Sequence, residues 1–351
     1  MGKYREIHKL RELPVIQNRM FSTKEEAVNC QKGDVDLVQD LETGLVFNRA
    51  FDPGLTRYSS EYQNEQAFSG FFRNHLADVA RVIKKYGAGR SIIEVGCGKG
   101  YFLEYLQKSG YKIIGFDPTY EGSNQAIVKS VFDRTVVARA ECIVLRHVLE
   151  HVADPVNFLS MILDINGGKG DVYIEVPCLD WISAHRAWFD IFYEHVNYFR
   201  LSDLYRIFGT VYESGYSFGG QYVYIVADLA TLKNPKMNNA DTFLLPTDFT
   251  SSIDNFAKVA IQRKSVVWGG SSKGVIFSLY MQRAGARLDF AIDINPGKQK
   301  MFMPGSGSEV LSPEEGMKIF GSGDNVFVMN SNYIQEVMLL IGDAFNYVKV
   351  A

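Results

Sequence analysis

Ile92-Ile93-Glu94-Val95-Gly96-Cys97-Gly98-Lys99-Gly100 is the stretch on which the reading of this chain turns. A short apolar run reads as a buried strand, and the glycines after it let backbone approach a ligand closely before a helix opens and runs through Leu106. Asp117 ends the next strand roughly 20 residues on, where a carboxylate can accept both hydroxyl hydrogens of a ribose. The spacing therefore predicts a ligand that carries a ribose. A dinucleotide fold spaces its glycines G-x-G-x-x-G so that a pyrophosphate meets a helix N-terminus, whereas here the pattern is G-x-G-x-G with a carboxylate inside the strand. Glu94 suits a cationic ligand better than a diphosphate.

Outward from this loop, strands and helices alternate: SIIEVG, YKIIGFD, AECIVLR, a helix from Asp154 to about Leu163, then DVYIEVP. Apolar strands separated by helical segments predict a parallel sheet covered on both faces, an α/β fold. YESGYSFGG followed by QYVYIVA reads as a closing antiparallel hairpin. Upstream, Glu61–Lys85 has a helical period through Phe68, Phe71, Phe72, Leu76, Val79 and Val82, ending at Gly87 and Gly89. Residues 1–70 are otherwise irregular, with a helix start at Ser22-Thr23-Lys24-Glu25-Glu26 and strand-like pieces at Val35–Val38 and Gly44–Asn48. Asp228–Thr247 is polar and broken and reads as a linker. Beyond it a helix over Ser252–Arg263, then KSVVWGGSSKG, a helix to Ala284, RLDFAIDIN and DNVFVMNSN repeat the logic of strand, glycine turn, helix and strand ending in an acid.

At 351 residues the chain has room for two or three domains at roughly 150 residues each. Its 46% apolar and 22% charged composition is that of a globular protein, which excludes disorder and fibrous repeats. A net charge of −3 and a pI near 6.1 are far from the basic footprint of a nucleic-acid binder. The four cysteines, Cys30, Cys97, Cys142 and Cys178, are scattered, with neither a CxxC pair nor a disulfide framework. The N-terminus lacks an apolar signal region and no run approaches about 18 uncharged apolar residues, so a cytoplasmic protein without a membrane partner is expected.

The E-V-G-C-G-K-G loop resembles that of S-adenosylmethionine methyltransferases, whose cofactor carries a sulfonium and an ammonium. Leu145-Arg146-His147-Val148-Leu149-Glu150-His151-Val152-Ala153-Asp154-Pro155 is similar to the segment after the fourth strand in many members of that superfamily. By this resemblance the fold is a Rossmann-like class I methyltransferase domain, and Glu94, Gly96, Cys97, Gly98, Gly100, Asp117, Pro118, Arg146 and His147 are expected at the cofactor. His147-x-x-Glu150-His151 also fits a zinc pattern, but the sequence nominates no third ligand, and no metal is expected.

The aromatic stretch Trp181–Phe199 contains Phe192-Tyr193-Glu194-His195-Val196-Asn197-Tyr198-Phe199. A Glu beside a His, just beyond the C-terminal end of a cofactor sheet, lies where open α/β sheets bind ligands. Together with FDPGLTRYSSEYQNEQAFS and the C-terminal WGGSSKG, DINPGKQKMFMPG and LSP patterns, the block resembles the sugar C-methyltransferase family of deoxysugar biosynthesis, from about residue 13 to the end. The resemblance implies methylation beside the ketone of a nucleotide-linked sugar, with His195 as base, Glu194 as its partner and Tyr62 or Tyr193 as a donor toward the enolate oxygen. It also divides the chain into an N-terminal substrate or lid segment over 1–72, a cofactor domain over 73–230 and a second Rossmann-like domain over 248–351, in a monomer or homodimer. Transfer to oxygen or nitrogen on the same cofactor site is the alternative.

Three features depart from the family. Its usual four-cysteine zinc module is reduced to Cys30, a tyrosine two residues before the Glu is Phe192, and a G-G-S turn reads Gly219-Gly220-Gln221. Gly269-Gly270-Ser271-Ser272-Lys273-Gly274 reads either as a nest for a substrate diphosphate or as a turn that only completes the cleft. Lys298 and Gln299 read either as part of that site or as a solvated turn.

Overall fold

The computed structural model describes residues 3–59, 61–87, 89–288 and 290–351. Ser60 of the tyrosine-rich segment and Asp289 of the strand expected before Asp293 lie outside the described residues.

The N-terminal region forms strand β1 (Tyr4–Pro14), helix α1 (Lys24–Val28), β2 (Lys32–Asp40) and β3 (Val46–Asn48). Helix α1 starts where expected because Thr23 and Glu26 form a capping box, each side chain satisfying the other's backbone N–H. The expected irregular segment is thus an antiparallel meander. Strand β1 escapes the sequence because its alternating charges sit on a half-solvated face, with burial confined to Leu10, Leu13 and Pro14 near its end.

The cofactor region follows as α2 (Gly70–Gly87), β4 (Ser91–Val95), α3 (Tyr101–Lys108), β5 (Lys112–Phe116), β6 (Ile127–Val128), β7 (Cys142–Arg146), α4 (Pro155–Ile165), β8 (Asp171–Pro177), α5 (Leu179–Ala184), β9 (Asn197–Tyr198), α6 (Leu201–Ile207), β10 (Val211–Ser217) and β11 (Tyr222–Asp228). Its seven-stranded sheet has the order β10-β11-β8-β7-β4-β5-β6, parallel from β8 to β6 and antiparallel across β8, β11 and β10. This is a Rossmann-like α/β fold with the predicted closing hairpin. Alternate residues of β4 and β7 face two different cores, Ile93 and Leu145 on one side, Ile92 and Val144 on the other, which is why both strands read as continuous apolar runs. Helix α2 begins nine residues later than its apolar period suggests, because Glu61–Ser69 is drawn out along the site and the turn starts only at Gly70.

Two-residue strand β9 leaves this region and pairs with β3, Val46 opposite Tyr198, so it becomes the last strand of the N-terminal sheet, in the order β1-β2-β3-β9. That pairing fixes the segment holding Glu194 and His195.

The C-terminal region comprises α7 (Ser252–Gln262), β12 (Ser265–Trp268), α8 (Ser272–Arg283), β13 (Phe290–Ile292), β14 (Glu309–Leu311), α9 (Pro313–Ile319), β15 (Asn325–Val328), α10 (Ile334–Ile341) and β16 (Asn346–Lys349). Its five strands are all parallel, in the order β14-β13-β12-β15-β16, and both faces are buried. The expected linker is not a free tether: Asp241 is ion-paired with Arg206, and the Phe243 N–H donates to buried Gln39 at 3.0 Å. Among the described residues no helix is long and apolar enough to cross a membrane.

Candidate active site

The glycine loop between β4 and α3 and the glycine turn between β12 and α8 open onto one cavity of about 310 Å³ at the C-terminal ends of their sheets. Strand ends are where an open α/β sheet leaves room for a ligand. On one wall stand Glu94, Gly96, Cys97, Gly98, Arg146 and His147; on the other stand Ser272, Lys273, Asp293 and Lys298.

Gly96 has φ +71° and lies so close to Val148 that a Cβ would come within 2.5 Å of a methyl. Gly100 has φ +84°, and its Cβ would meet Ile127 at 2.5 Å. Side chains are thus excluded on both flanks of the loop, which leaves a backbone cradle. Glu94 is buried, and its Oε2 has no hydrogen-bond partner among the described residues. Burial pushes its carboxyl up to about 7, against the pull of the Arg146 charge. An orphaned carboxylate beside a side-chain-free cradle fits a ligand that bears positive charge.

Asp117 lies beside the loop and outside the cavity lining, with Oδ2 accepting from the Gly98 N–H at 2.8 Å and Oδ1 from the Thr119 N–H and hydroxyl. Pro118 follows it, exposed. The Cys97 thiol is pushed up by burial and by Glu94 and Asp117, so it lines the cleft as an inert group. Gly100 also lies outside the lining and serves as the N-cap of α3.

Beneath the cavity floor, fully buried Glu175 gathers the neighbouring bases. His75 Nε2 lies 3.2 Å from its Oε1, Arg146 Nε at 3.4 Å and His147 Nε2 at 3.7 Å, while Tyr173 and Ser217 donate to Oε2. Burial alone would raise this carboxyl, but the hydrogen bond and charge of His75, then Arg146 and His147, hold it well below the usual carboxylate range. His147 occupies the left-handed region at φ +52°, its N–H bonded to the Glu175 carbonyl at 2.9 Å. Of this network only Arg146 and His147 fall in a motif; His75 and Glu175 come from other elements, α2 and β8, and carry no signal of their own.

The segment bearing Glu194 and His195 is pinned on both sides: the Val196 N–H donates to the Glu150 carbonyl at 2.7 Å, and the Asn48 N–H to the Val196 carbonyl at 2.8 Å. His195 lines the cavity, only 8% exposed, with Phe192 and His151 ring centroids 4.7 and 4.9 Å away. Its Nδ1 has no partner among the described residues. Burial, then the charges of His151, His147 and Lys273, hold its pKa well below the ordinary histidine value, so the ring is neutral.

Two expectations need correction here. Glu194 does not face His195: its Oε1 accepts from the Gln17 N–H at 3.1 Å, and its Oε2 from Tyr62 at 2.8 Å and Tyr58 at 3.3 Å. Alternating side-chain directions along the pinned segment send the neighbours apart. Tyr193 is no donor to the cavity either; it packs over Gly33, and its hydroxyl accepts from the Asp52 N–H at 2.9 Å. Tyr62 does reach the cleft, held protonated by burial and by Glu194. The residues that sequence reasoning missed are Asn18, Tyr58 and Asp190. Tyr58 sits four residues before Tyr62 in the tyrosine-rich segment, which was its one visible signal.

On the second wall, the Asp293 carboxylate accepts from the Gly270 N–H at 2.9 Å. Lys298 is buried with its Nζ 3.6 Å from Asp293, which excludes the solvated-turn reading. Lys273 lies 2.8 Å from Asp190 and donates to Gln221 at 2.9 Å, tying the second sheet to the first.

Residues 65–211 match the family model of a methyltransferase domain. No curated protein matches the chain significantly. Among solved structures, the chain resembles the N-methyltransferase NodS from Bradyrhizobium japonicum at 18% identity, over 47% of this chain and 97% of that one, with a TM-score of 0.33. A SAM-dependent methyltransferase from Archaeoglobus fulgidus is 20% identical over 47% and 97%, with a TM-score of 0.36. The 1,6-didemethyltoxoflavin-N1-methyltransferase of Burkholderia thailandensis, solved with 1,6-didemethyltoxoflavin and S-adenosylhomocysteine, is 14% identical over 52% and 95%, with a TM-score of 0.37. The matched methyltransferase-domain segment contains the glycine cradle and the orphaned Glu94 oxygen, which together fit a methyl donor that bears positive charge.

Proposed function

We propose that this chain is an S-adenosylmethionine-dependent methyltransferase that methylates the carbon beside the ketone of a nucleotide-linked sugar, with His195 as the base. The observation that carries the reading is a neutral imidazole with an unpartnered Nδ1, on the same cavity as the Gly96–Gly98 cradle. Glu94, Gly96, Gly98, Arg146 and His147 would hold the methyl donor, with Asp117 behind the loop. S-adenosylmethionine supplies an electrophilic methyl on a sulfonium.

His195 would take the proton from the carbon next to the carbonyl, so that the electron pair left on that carbon can form the new bond to the methyl as the methyl–sulfur bond breaks and leaves its pair on the then neutral sulfur. Tyr62, whose proton rests on Glu194 in this structure, would turn that proton toward the oxygen on which the enolate charge collects, and Glu194, held by Tyr58 and Gln17, keeps the hydroxyl at the cleft until then. Phe192 and the buried walls around His195 keep water from the carbanion. The second wall, read as a Rossmann-like domain over 248–351, offers Lys298, Asp293 and the Gly269–Gly274 turn to the nucleotide portion of the acceptor. Asn18 and Tyr62, from the segment read as an N-terminal substrate or lid region, close the remaining side.

Phe192 lacks the hydroxyl that the family places there, which favours oxygen or nitrogen transfer as the second reading. Nucleotide-linked 4-keto sugars incubated in deuterated solvent separate the two. Deuterium uptake next to the ketone, abolished in His195→Ala while S-adenosylmethionine still binds, is expected. Full turnover by His195→Ala would remove His195 as the base, and no uptake by the wild type would favour the heteroatom.

A further inference from the structure

We propose that Glu150, His151 and His195 form a binding site for a divalent transition-metal ion on the acceptor side of the cleft. Each residue presents one ligand atom, and the three atoms lie within 4.8 Å of one another. Ligands about 2.0–2.2 Å from a shared zinc stand roughly 3.3 Å apart, so small side-chain rotations would close the set. All three line the cavity.

Two further observations point to a ligand. Glu150 Oε2 and His195 Nδ1 have no hydrogen-bond partner among the described residues, although both residues are more than nine-tenths buried. A buried polar atom left unmade costs free energy that a bound ion would recover. His151 is already arranged as a ligand. Its Nδ1 lies 3.0 Å from the Glu194 carbonyl oxygen, which can only accept, so the proton sits on Nδ1 and the Nε2 lone pair is free. Donating the other ring N–H to a backbone carbonyl is the usual support of a metal-bound histidine. The Tyr58 hydroxyl, 2.9 Å from the same Nδ1, accepts there and spends its own proton on Glu194.

The structure also resolves the His147-x-x-Glu150-His151 pattern differently from its sequence reading. His147 turns its Nδ1 to Glu150 Oε1 at 3.3 Å and so supports the carboxylate from behind. The missing third ligand is His195, brought in by the β3–β9 pairing. Two imidazoles and one carboxylate suit zinc, iron(II), cobalt(II) or nickel(II), with positions left open toward the cavity. A neutral imidazole has one free lone pair, so ion binding and proton removal at His195 exclude each other. The site goes beyond the methyl-transfer reading, and its occupancy would govern that reaction.

The test uses the full chain stripped by a chelator and titrated with cobalt(II), read by visible absorption and by equilibrium dialysis against zinc. One cobalt per chain, displaced by zinc, is expected. Glu150→Gln removes a ligand at constant size. His151→Asn keeps a donor for the Glu194 carbonyl while deleting Nε2. Each should weaken binding about tenfold or more, with unchanged circular dichroism. Binding that neither variant alters, or no binding to the wild type, would overturn the site. Zinc should suppress deuterium uptake by the keto sugar in step with occupancy, and full exchange with the ion bound would refute the competition. A chain that binds cobalt but exchanges no keto sugar even when stripped of metal keeps the site and loses the carbon-transfer reading; a stripped chain that exchanges the sugar but binds no cobalt does the opposite.

Discussion

Glu94 is the residue whose chemistry is most directly measurable. An ordinary glutamate titrates near 4.3, whereas burial raises this one to about 7 in the folded chain. Between those values the folded protein holds a proton that the unfolded chain has lost. Its share of stability is therefore full at low pH and lost as pH rises through that window. Binding of the cationic methyl donor follows the opposite course, because the ionised carboxylate is the form that attracts it. Calorimetric titration should show S-adenosylmethionine binding tighten as pH rises through about 7, and Glu94→Gln should weaken binding and flatten that dependence. A wild-type affinity that is level across the window would refute the role. Glu94 was legible because one carboxylate within a glycine signature can be read locally. The direction of Glu194 was not, since a two-residue strand pairing with β3 decides which neighbour faces the cleft. Lys298 was illegible for a similar reason, its burial being set by Asp293 and the far wall.

Elements were legible where their own period or caps define them. Strands β4, β5, β7 and β8 and helix α4, capped by Asp154, fall where the pattern predicts. Strand β1 and the start of α2 depend on partners distant in sequence. Helix α2 has its first turn capped from the C-terminal region: Ser69 Oγ donates to Glu336 at 2.6 Å, and the Gly70 N–H to the same carboxylate at 3.0 Å. A negative group at a helix N-terminus stabilises both the free N–H groups and the helix dipole. Loss of a cap costs about 0.5–2 kcal/mol, so Glu336→Ala should speed amide hydrogen exchange at Gly70 and Phe71 by a factor of several, with α3 unchanged. Equal exchange in the variant and the wild type would show that the cap is idle.

For the whole molecule, the sequence supports a division at a polar stretch near residues 228–247, and the hydrophobic packing crosses it. One contiguous apolar core contains Val95 and Ile174 of the first sheet, Leu37 of the N-terminal sheet and Val267 and Phe277 of the C-terminal region. Trp188 bridges the cofactor and C-terminal regions, its ring stacked on Phe277 at 5.8 Å and its indole N–H bonded to Ser252 at 2.9 Å. Polar ties run the same way, from Lys273 to Asp190 and from Gln221 to Asn330. A shared core makes separate unfolding of either side costly, because each would expose the other's buried face. Scanning calorimetry should therefore show one main transition that S-adenosylmethionine shifts as a whole, although the donor is expected to touch only the first wall. Truncating Trp188 to alanine costs about 3–5 kcal/mol if the cavity does not collapse, and it removes the stack that joins the two sides. Trp188→Ala should lower that transition and split off a component that the methyl donor no longer stabilises. Two separate transitions in the wild type, the second indifferent to S-adenosylmethionine, would instead mean that the cavity between the sheets is assembled from independent halves.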